Sequence, residues 1–438
     1  MTCSIQADIL SDMRLGLGLS PLFMIGAVTA LYSQSAIPQS TYSQRRQAVR
    51  RDLDGEFVLF GRTSEQEDQL RDGFYQEPYF NYLSGWQEPD AIMILSKTEE
   101  ILFLPSRNET YERYYGHRTS PTDAHVKTVT GFATLLPRSD FERELFRISE
   151  TGKLVYTLPT EPQSHAVPPL FALRTNVQVR DGTSKLDAMR EVKSTHEIAL
   201  IQHSADVSVG AHLEALKRMR PGLFEYQVAA TMENAWRERG CERPAYTSIV
   251  GSGPNAVVLH YSADKRQIRD GELVVIDAAA ECSLYAADIT RTLPANGRFS
   301  PRQRQLYEIV LQAQEAAIQA VKPGAIIGKK DTPGSLMSIA FAFINTHGKD
   351  QNGESLGKYV LHGLSHHIGL DVHDPGDIMK PLAPGMVISI EPGIYIRSEG
   401  LGIRIEDMVL VTESGHRVLT RALPKDAQSI ERLMAHAN

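Results

Sequence analysis

A chain of 438 residues, 42% hydrophobic and 23% charged, is longer than one compact core usually fills. It therefore divides into at least two folded regions and is not a disordered or fibrous protein. Its net charge of −7 excludes a protein that neutralises a nucleic-acid backbone with massed Lys and Arg, so no nucleic-acid partner is expected. Cys3, Cys241 and Cys282 are too few and too scattered for a disulfide framework or a paired-thiolate zinc site, so any metal is expected to use oxygen and nitrogen ligands.

Residues 1–36 stand apart. Leu15 to Leu31 is nearly all apolar or small, Arg14 precedes it, and Val28-Thr29-Ala30 offers small residues before a cut. This reads as an export signal or membrane anchor, which implies an exported or periplasmic protein, with a cytoplasmic leader helix as the alternative. Asp8 and Asp12 are out of keeping with a positively charged start.

Residues 41–180 read as a smaller α/β domain. A helix is expected from Gln44 to Asp52, and strands at Glu56 to Phe60, Ala91 to Leu95 and Ile101 to Leu104. The aromatic, turn-rich stretch Pro78 to Pro89 reads as a packed loop, with a role at a neighbouring subunit's site as the alternative.

Residues 181–438 open with a capping box, Ser194 to Glu197, whose helix should stop at Arg220-Pro221-Gly222. A second helix over Glu225 to Gly240 and strand regions at Tyr246 to Tyr261 and Leu273 to Thr292 follow. Ser300 to Gln303 repeats the capping box, with Pro301 at the first helical position and an end at Lys322-Pro323-Gly324. A helix-helix-strand-strand unit used twice would put a pseudo-twofold sheet between helical layers, an α+β class in which both halves can supply one site.

Three stretches carry the chemistry. In ELVVIDAAAECSLYAADITRT, a tight turn at Cys282-Ser283 would set Asp277 directly opposite Asp288, where two carboxylates repel unless a cation or proton lies between them. HGLSHHIGLDVHD packs His362, His366, His367 and His373 into twelve residues; one imidazole can ligate metal while others steady a polarised carbonyl, and His367 reads as structural. IEPG ends a buried strand at Glu391, and in GIRIED the alternation puts Arg404 and Glu406 on one face. Four carboxylates and one imidazole suit Mn²⁺ or Co²⁺ and tolerate Zn²⁺. His196-Glu197 is no zincin motif, since position 200 is Leu, and Gly251 to Asn255 is a turn rather than a phosphate loop.

These motifs, together with QRRQAV, YFNYLSGWQEPDAIMIL, KSTHEIA and SIVGSGPNAVVLHY, resemble the pita-bread metallopeptidases, specifically aminopeptidase P, over about nine-tenths of the chain. Prolidases and methionine aminopeptidases are related to it. The resemblance implies duplicated halves around a curved antiparallel sheet, and two divalent ions, most often Mn²⁺. Asp277 would hold one ion, His366 and Glu391 the other, and Asp288 and Glu406 both. It implies attack by a hydroxide shared by the ions on peptides with proline second, Glu391 relaying a proton, His362 and His373 steadying the oxyanion, and His260, Tyr395 and Arg404 serving the proline side. A homodimer or homotetramer is implied as well. Ala279, Met408 and the short connection from Glu391 to Glu406 depart from the family pattern, the last putting peptide-length preference in question. A prolidase restricted to dipeptides, and a non-catalytic module on the same fold, are the competing readings.

Overall fold

The computed structural model describes residues 37–67, 73–150, 154–173 and 176–435; the apolar stretch read as an export signal lies outside them. Among the described residues no helix is long and apolar enough to cross a membrane. The first helix, α1 (Gln39–Arg51), starts earlier than the sequence suggested, directly after Pro38 in extended conformation. Two of its arginines are buried rather than solvated. Arg46 donates to the Leu83 carbonyl at 2.9 Å and pairs with Glu100 at 3.1 Å, and Arg45 pairs with Glu197 at 2.8 Å.

Strand β1 (Glu56–Phe60) is buried along its whole length, and farther along α2 (Pro78–Ser84) is a helix where a loop was expected. Glu77 caps it by accepting from Phe80 N at 2.6 Å, and Gly85 ends it at φ 67°, a left-handed conformation that glycine adopts without strain. The segment is too short to reveal a helical period, but Phe80, Tyr82, Leu83 and Trp86 are all buried, so its packing role stands.

Strands β2 (Ile92–Leu95), β3 (Glu100–Leu104), β4 (Thr134–Pro137), β5 (Leu154–Thr157) and β6 (Gln178–Asp181) complete a six-stranded mixed sheet in the order β4-β3-β2-β1-β5-β6. Val58, Phe60, Ile94 and Phe103 fill one core, while Phe57, Leu59, Met93 and Leu102 fill another on the opposite face. Burial on both faces explains why β1, β2 and β3 read as unbroken apolar runs rather than alternating ones, whereas β6 at the sheet edge is largely exposed.

Helix α3 (Thr183–Glu191) leads to α4 (Thr195–Arg218) and α5 (Glu225–Arg237), which pack together. The Tyr246 to Tyr261 region keeps only β7 (Ile249–Ser252) as strand, because Gly253 at φ 52° turns the chain into a 3-10 helix over Gly253–Val257. Strands β8 (Leu273–Asp277), β9 (Ala280–Cys282), β10 (Tyr285–Ala286) and β11 (Thr290–Pro294) follow. The second half repeats the plan with α6 (Pro301–Gln319) and α7 (Leu336–His347), then β12 (Val387–Ile390), β13 (Gly393–Ile396), β14 (Leu401–Arg404), β15 (Asp407–Val411) and β16 (His416–Val418). Both capping boxes form, at Ser194 and Ser300.

The halves meet where Glu406 N donates to Thr290 O at 3.0 Å and Arg404 N donates to Thr292 Oγ1 at 3.1 Å. Residues 112 and 116 positions apart in the chain therefore need no long side chain to approach one another: hydrogen bonds from the β14–β15 backbone to β11 set them side by side.

Two further expectations are corrected. Asp277 lies opposite Thr290, not Asp288, because the β9–β10 hairpin turns at Ser283-Leu284, where both residues have positive φ of 52° and 69°. The turn sits one residue beyond the one expected, and it lacks the Asn-Gly or Asp-Gly pair by which such turns are recognised. The shift moves the partner by two residues, so Asp277 and Asp288 remain on one face as diagonal neighbours. In addition, Cys241 and Cys282 form a disulfide, with Cα atoms 4.5 Å apart across 41 residues of sequence. Spacing rules search for local pairs, and here it is the fold that closes the distance.

Asp374 anchors the His-rich loop to the rest of the chain. It accepts from Arg190 at 2.6 Å and from Lys193 at 3.0 Å, and all three side chains are about 1% exposed. Burial opposes ionisation of Asp374, but Lys193 and Arg190 outweigh it and hold its pKa below the ordinary carboxylate value. A depressed carboxyl pKa contributes stability that is present above the unfolded value of about 4 and is lost as pH falls through the folded value. Acid unfolding curves should therefore steepen below about pH 4 in the natural protein and flatten in an Asp374→Asn variant that is already less stable at neutral pH. Superimposable acid limbs would remove Asp374 from this account.

Candidate active site

Strand ends from both halves bring the expected metal-binding residues to one place. Oxygen atoms of Asp277, Asp288 and Glu406 lie within 4.8 Å of one another, as do the donor atoms of His366, Glu391 and Glu406, and those of Asp288, His366 and His373. A cleft of about 550 Å³ opens over them, and His260, His362 and Arg404 also line it. Tyr395 is the exception among the residues expected at the site. It stands behind Arg404, 2% exposed, and meets the cleft through its neighbours.

The charges are unbalanced without a cation. Glu406 is 1% exposed; its Oε2 accepts from Thr290 Oγ1 at 2.7 Å, while its Oε1 has no hydrogen-bond partner. Burial first, then Asp288, Glu391 and Asp277, push its pKa far above the ordinary carboxylate value. Burial and Asp288 similarly raise Glu391 to about 7, against the opposing pull of His366. Burial works to lower His366, but Asp288 at 3.3 Å and Glu391 at 3.4 Å overcome it and raise the imidazole to about 9. His366 Nδ1 faces the His367 carbonyl at 3.0 Å, which directs Nε2 at the carboxylates. That nitrogen must carry either a proton or a metal ion, and an orphaned carboxylate oxygen beside it makes the donor set fit divalent ions.

A hydrogen-bonded chain leads away from this cluster. Arg404 donates to Asp277 Oδ2 at 2.6 Å and to the Tyr395 hydroxyl at 2.7 Å, which leaves the Tyr395 proton to be donated to His362 Nε2 at 2.8 Å. His362 Nδ1 then donates to the Gly363 carbonyl at 2.7 Å. Burial and the Arg404 charge lower His362 to about 4, so its ring is neutral near pH 7. Both nitrogens of His362 are thus engaged, whereas the exposed His373 ring lies edge-on to His366 with centroids 4.3 Å apart. His260 is exposed on the cleft wall. His367 is 2% exposed and does not line the cleft, and its backbone pairs with Asp374 and Ile388.

Sequence reasoning missed Tyr246, whose hydroxyl donates to Asp277 Oδ1 at 2.6 Å, and Thr290, which serves both Glu406 and Arg404. Thr290 was legible in principle, since it lies two residues beyond Asp288 and so shares its face. Tyr246 carried no such signal, because it reaches Asp277 from 31 residues away. Met408, noted as a departure, places its sulfur 3.4 Å from Asp288 N, and the short connection after Glu391 is the β13–β14 hairpin, pinned by Arg302 to Glu399 at 2.9 Å.

Residues 199–413 match the family model of metallopeptidase family M24, and residues 42–156 match that of the aminopeptidase P N-terminal domain. The chain is 34% identical over 433 residues to the Xaa-Pro aminopeptidase of Haemophilus influenzae, covering 91% of this chain and 98% of that protein. The low-pH form of Escherichia coli aminopeptidase P superimposes with a TM-score of 0.83 at 31% identity, covering 92% of this chain and 99% of that one. A zinc-substituted form of the same enzyme in complex with product gives a TM-score of 0.82 at 30% identity, with the same coverage of both chains. The chain therefore belongs to metallopeptidase family M24, with the pita-bread fold and an amino-terminal domain. Within that family it groups with aminopeptidase P, and it is a metal-dependent exopeptidase acting on peptides.

Proposed function

We propose that this enzyme releases the N-terminal residue from peptides whose second residue is proline, using two divalent ions held by Asp277, Asp288, His366, Glu391 and Glu406. Manganese is the first choice of ion, with Co²⁺ or Zn²⁺ able to replace it. The observation that carries the reading is the convergence of four carboxylates on one imidazole around the unpartnered Glu406 Oε1. Such ions, when bound, lower the pKa of water and polarise a scissile carbonyl, which serves a tertiary Xaa-Pro amide that has no N–H to grip.

The protein's own groups supply the rest. Glu391, whose carboxylate lies beside His366 and Glu406 in the donor set, carries a proton to the leaving nitrogen. His373, open to the cleft, steadies the developing oxyanion, and His362, neutral and held by Tyr395, orients the same wall. His260 and Arg404 form the side that receives the proline ring, with Tyr395 supporting Arg404 from behind.

The polypeptide is read as an export signal or anchor at 1–36, an α/β domain at 41–180 and a catalytic domain at 181–438, assembled as a homodimer or homotetramer. Export is favoured by the Cys241–Cys282 disulfide, since such bonds persist in oxidising compartments. The mature amino terminus of the native protein checks this directly.

Incubation with Mn²⁺ and a panel of X-Pro, X-Pro-Y-Z and X-Ala-Y-Z peptides tests the substrate assignment. Release of X from X-Pro-Y-Z, with the alanine series slower by at least tenfold, is the expected result. Cleavage confined to the dipeptide would make the enzyme a prolidase, and equal rates on the alanine series would remove the proline preference.

A further inference from the structure

The geometry points to a second, thiolate-based metal site, formed by Cys241, Cys282 and His203 when the Cys241–Cys282 disulfide is reduced. The two sulfur atoms and a ring nitrogen of His203 lie within 4.8 Å of one another. A tetrahedral ion with bonds of about 2.0 to 2.3 Å needs donors roughly 3.5 to 3.8 Å apart, so on reduction the two sulfurs, bonded to each other in the oxidised form, part by side-chain rotation while the imidazole stays within reach. Each donor comes from a different element: His203 from α4, Cys241 from the chain just past α5, and Cys282 from the end of β9. The fold thus brings them together whichever state the sulfurs are in. Cys241 N donates to the Trp236 carbonyl at 3.1 Å and Ser283 N to Glu242 at 2.9 Å, so the backbone on both sides of the bond is held independently of it. The cysteines are 2% and 3% exposed and His203 is half-buried, which gives an ion one route of entry.

The chemistry balances with an external dithiol as reductant. Its two electrons break the S–S bond, two protons go to the protein sulfurs, and the reagent leaves as a disulfide. A divalent ion then binds both sulfurs as thiolates, releasing two protons, and takes the neutral imidazole as third ligand, with the fourth position open to water. Two thiolates and an imidazole select a thiophilic ion such as Zn²⁺, in contrast to the oxygen-rich set at Asp277 and Asp288. The site lies on the hairpin that joins those two aspartates, yet its ligands are separate from theirs.

The test compares the air-oxidised enzyme with enzyme reduced by a dithiol and desalted without oxygen, each titrated with Co²⁺. The reduced form is expected to take up one ion more than the oxidised form and to show a near-ultraviolet sulfur-to-cobalt charge-transfer band, which carboxylate ligands cannot produce. A Cys282→Ser variant should lack the band and the extra ion, and His203→Ala should weaken the extra ion by roughly tenfold or more. Peptidase turnover with Mn²⁺ monitors folding of every sample, and because the readout is a count of additional ions it stands apart from the substrate assignment. Reduced, active enzyme with no band and no extra ion overturns the site, and so does reduction that unfolds the chain.

Discussion

Replacing Asp288 with Ala is expected to abolish measurable peptidase activity, a fall in kcat/KM on the order of a thousandfold or more, since metal polarisation is worth several kcal/mol of barrier. Asp288 is the group whose oxygens lie near Asp277 and Glu406 on one side and 3.3 Å from His366 on the other, so its loss opens the donor set in the middle. Metal content should fall with activity. The same change has the opposite effect on the metal-free fold. Asp288 is the largest of the charges that push Glu406 far from its ordinary ionisation, so deleting it relieves repulsion between buried acids. Thermal unfolding in chelator should therefore give the Asp288→Ala protein a higher Tm than the natural one. Full metal content with undiminished turnover would defeat the assignment of Asp288, and a lower metal-free Tm would defeat the repulsion argument alone.

Arg291→Met should cost about 3 to 5 kcal/mol of stability, the usual penalty for stripping one partner from a buried ion pair. Arg291 and Asp407 are each 2% exposed at the side chain and 2.7 Å apart. Arg291 also donates to the backbone carbonyls of Glu406, Thr290 and Leu423 at 2.5, 2.9 and 3.1 Å, so it ties β11 to the start of β15 beneath the site. Lys425 remains 2.9 Å from Asp407 but is partly exposed, and it cannot take over the carbonyl contacts. Urea unfolding measures the loss, and the double variant Arg291→Met, Asp407→Leu should recover part of it because the charge it leaves unpaired, Lys425, is partly exposed and keeps Gln314 as an acceptor at 2.8 Å. A single-variant loss under about 1 kcal/mol would mean that Lys425 and water suffice.

The two predictions differ in how far the sequence anticipates them. Asp288 was identifiable as a candidate because acids on a β-prone run flanked by apolar residues are costly unless something binds them. Arg291, one residue from Thr290 in the same run, looked like an ordinary polar position in a strand. Nothing local distinguishes an arginine that faces solvent from one that faces Asp407 across 116 residues. The same contrast separates Ser194, whose capping box is complete within four residues, from Tyr246, whose partner is 31 residues distant.

What the sequence by itself determined is what short-range physics controls. Helix starts at Thr195 and Pro301, the buried strands β1 to β3 and the duplicated order of elements follow from caps and periodicity, and Asp277, Asp288, Glu391 and Glu406 stand out as candidates by the cost of burying charge, while His366 is singled out among its neighbouring histidines only by the family resemblance. Tertiary structure alone decided the register of the β9–β10 hairpin, the pairing of Cys241 with Cys282, and the chain Asp277–Arg404–Tyr395–His362. Hairpin register depends on two positive-φ residues that carry no glycine or asparagine to announce them, and the other two depend on contacts between segments that only packing of the helices against the sheets brings within bonding distance.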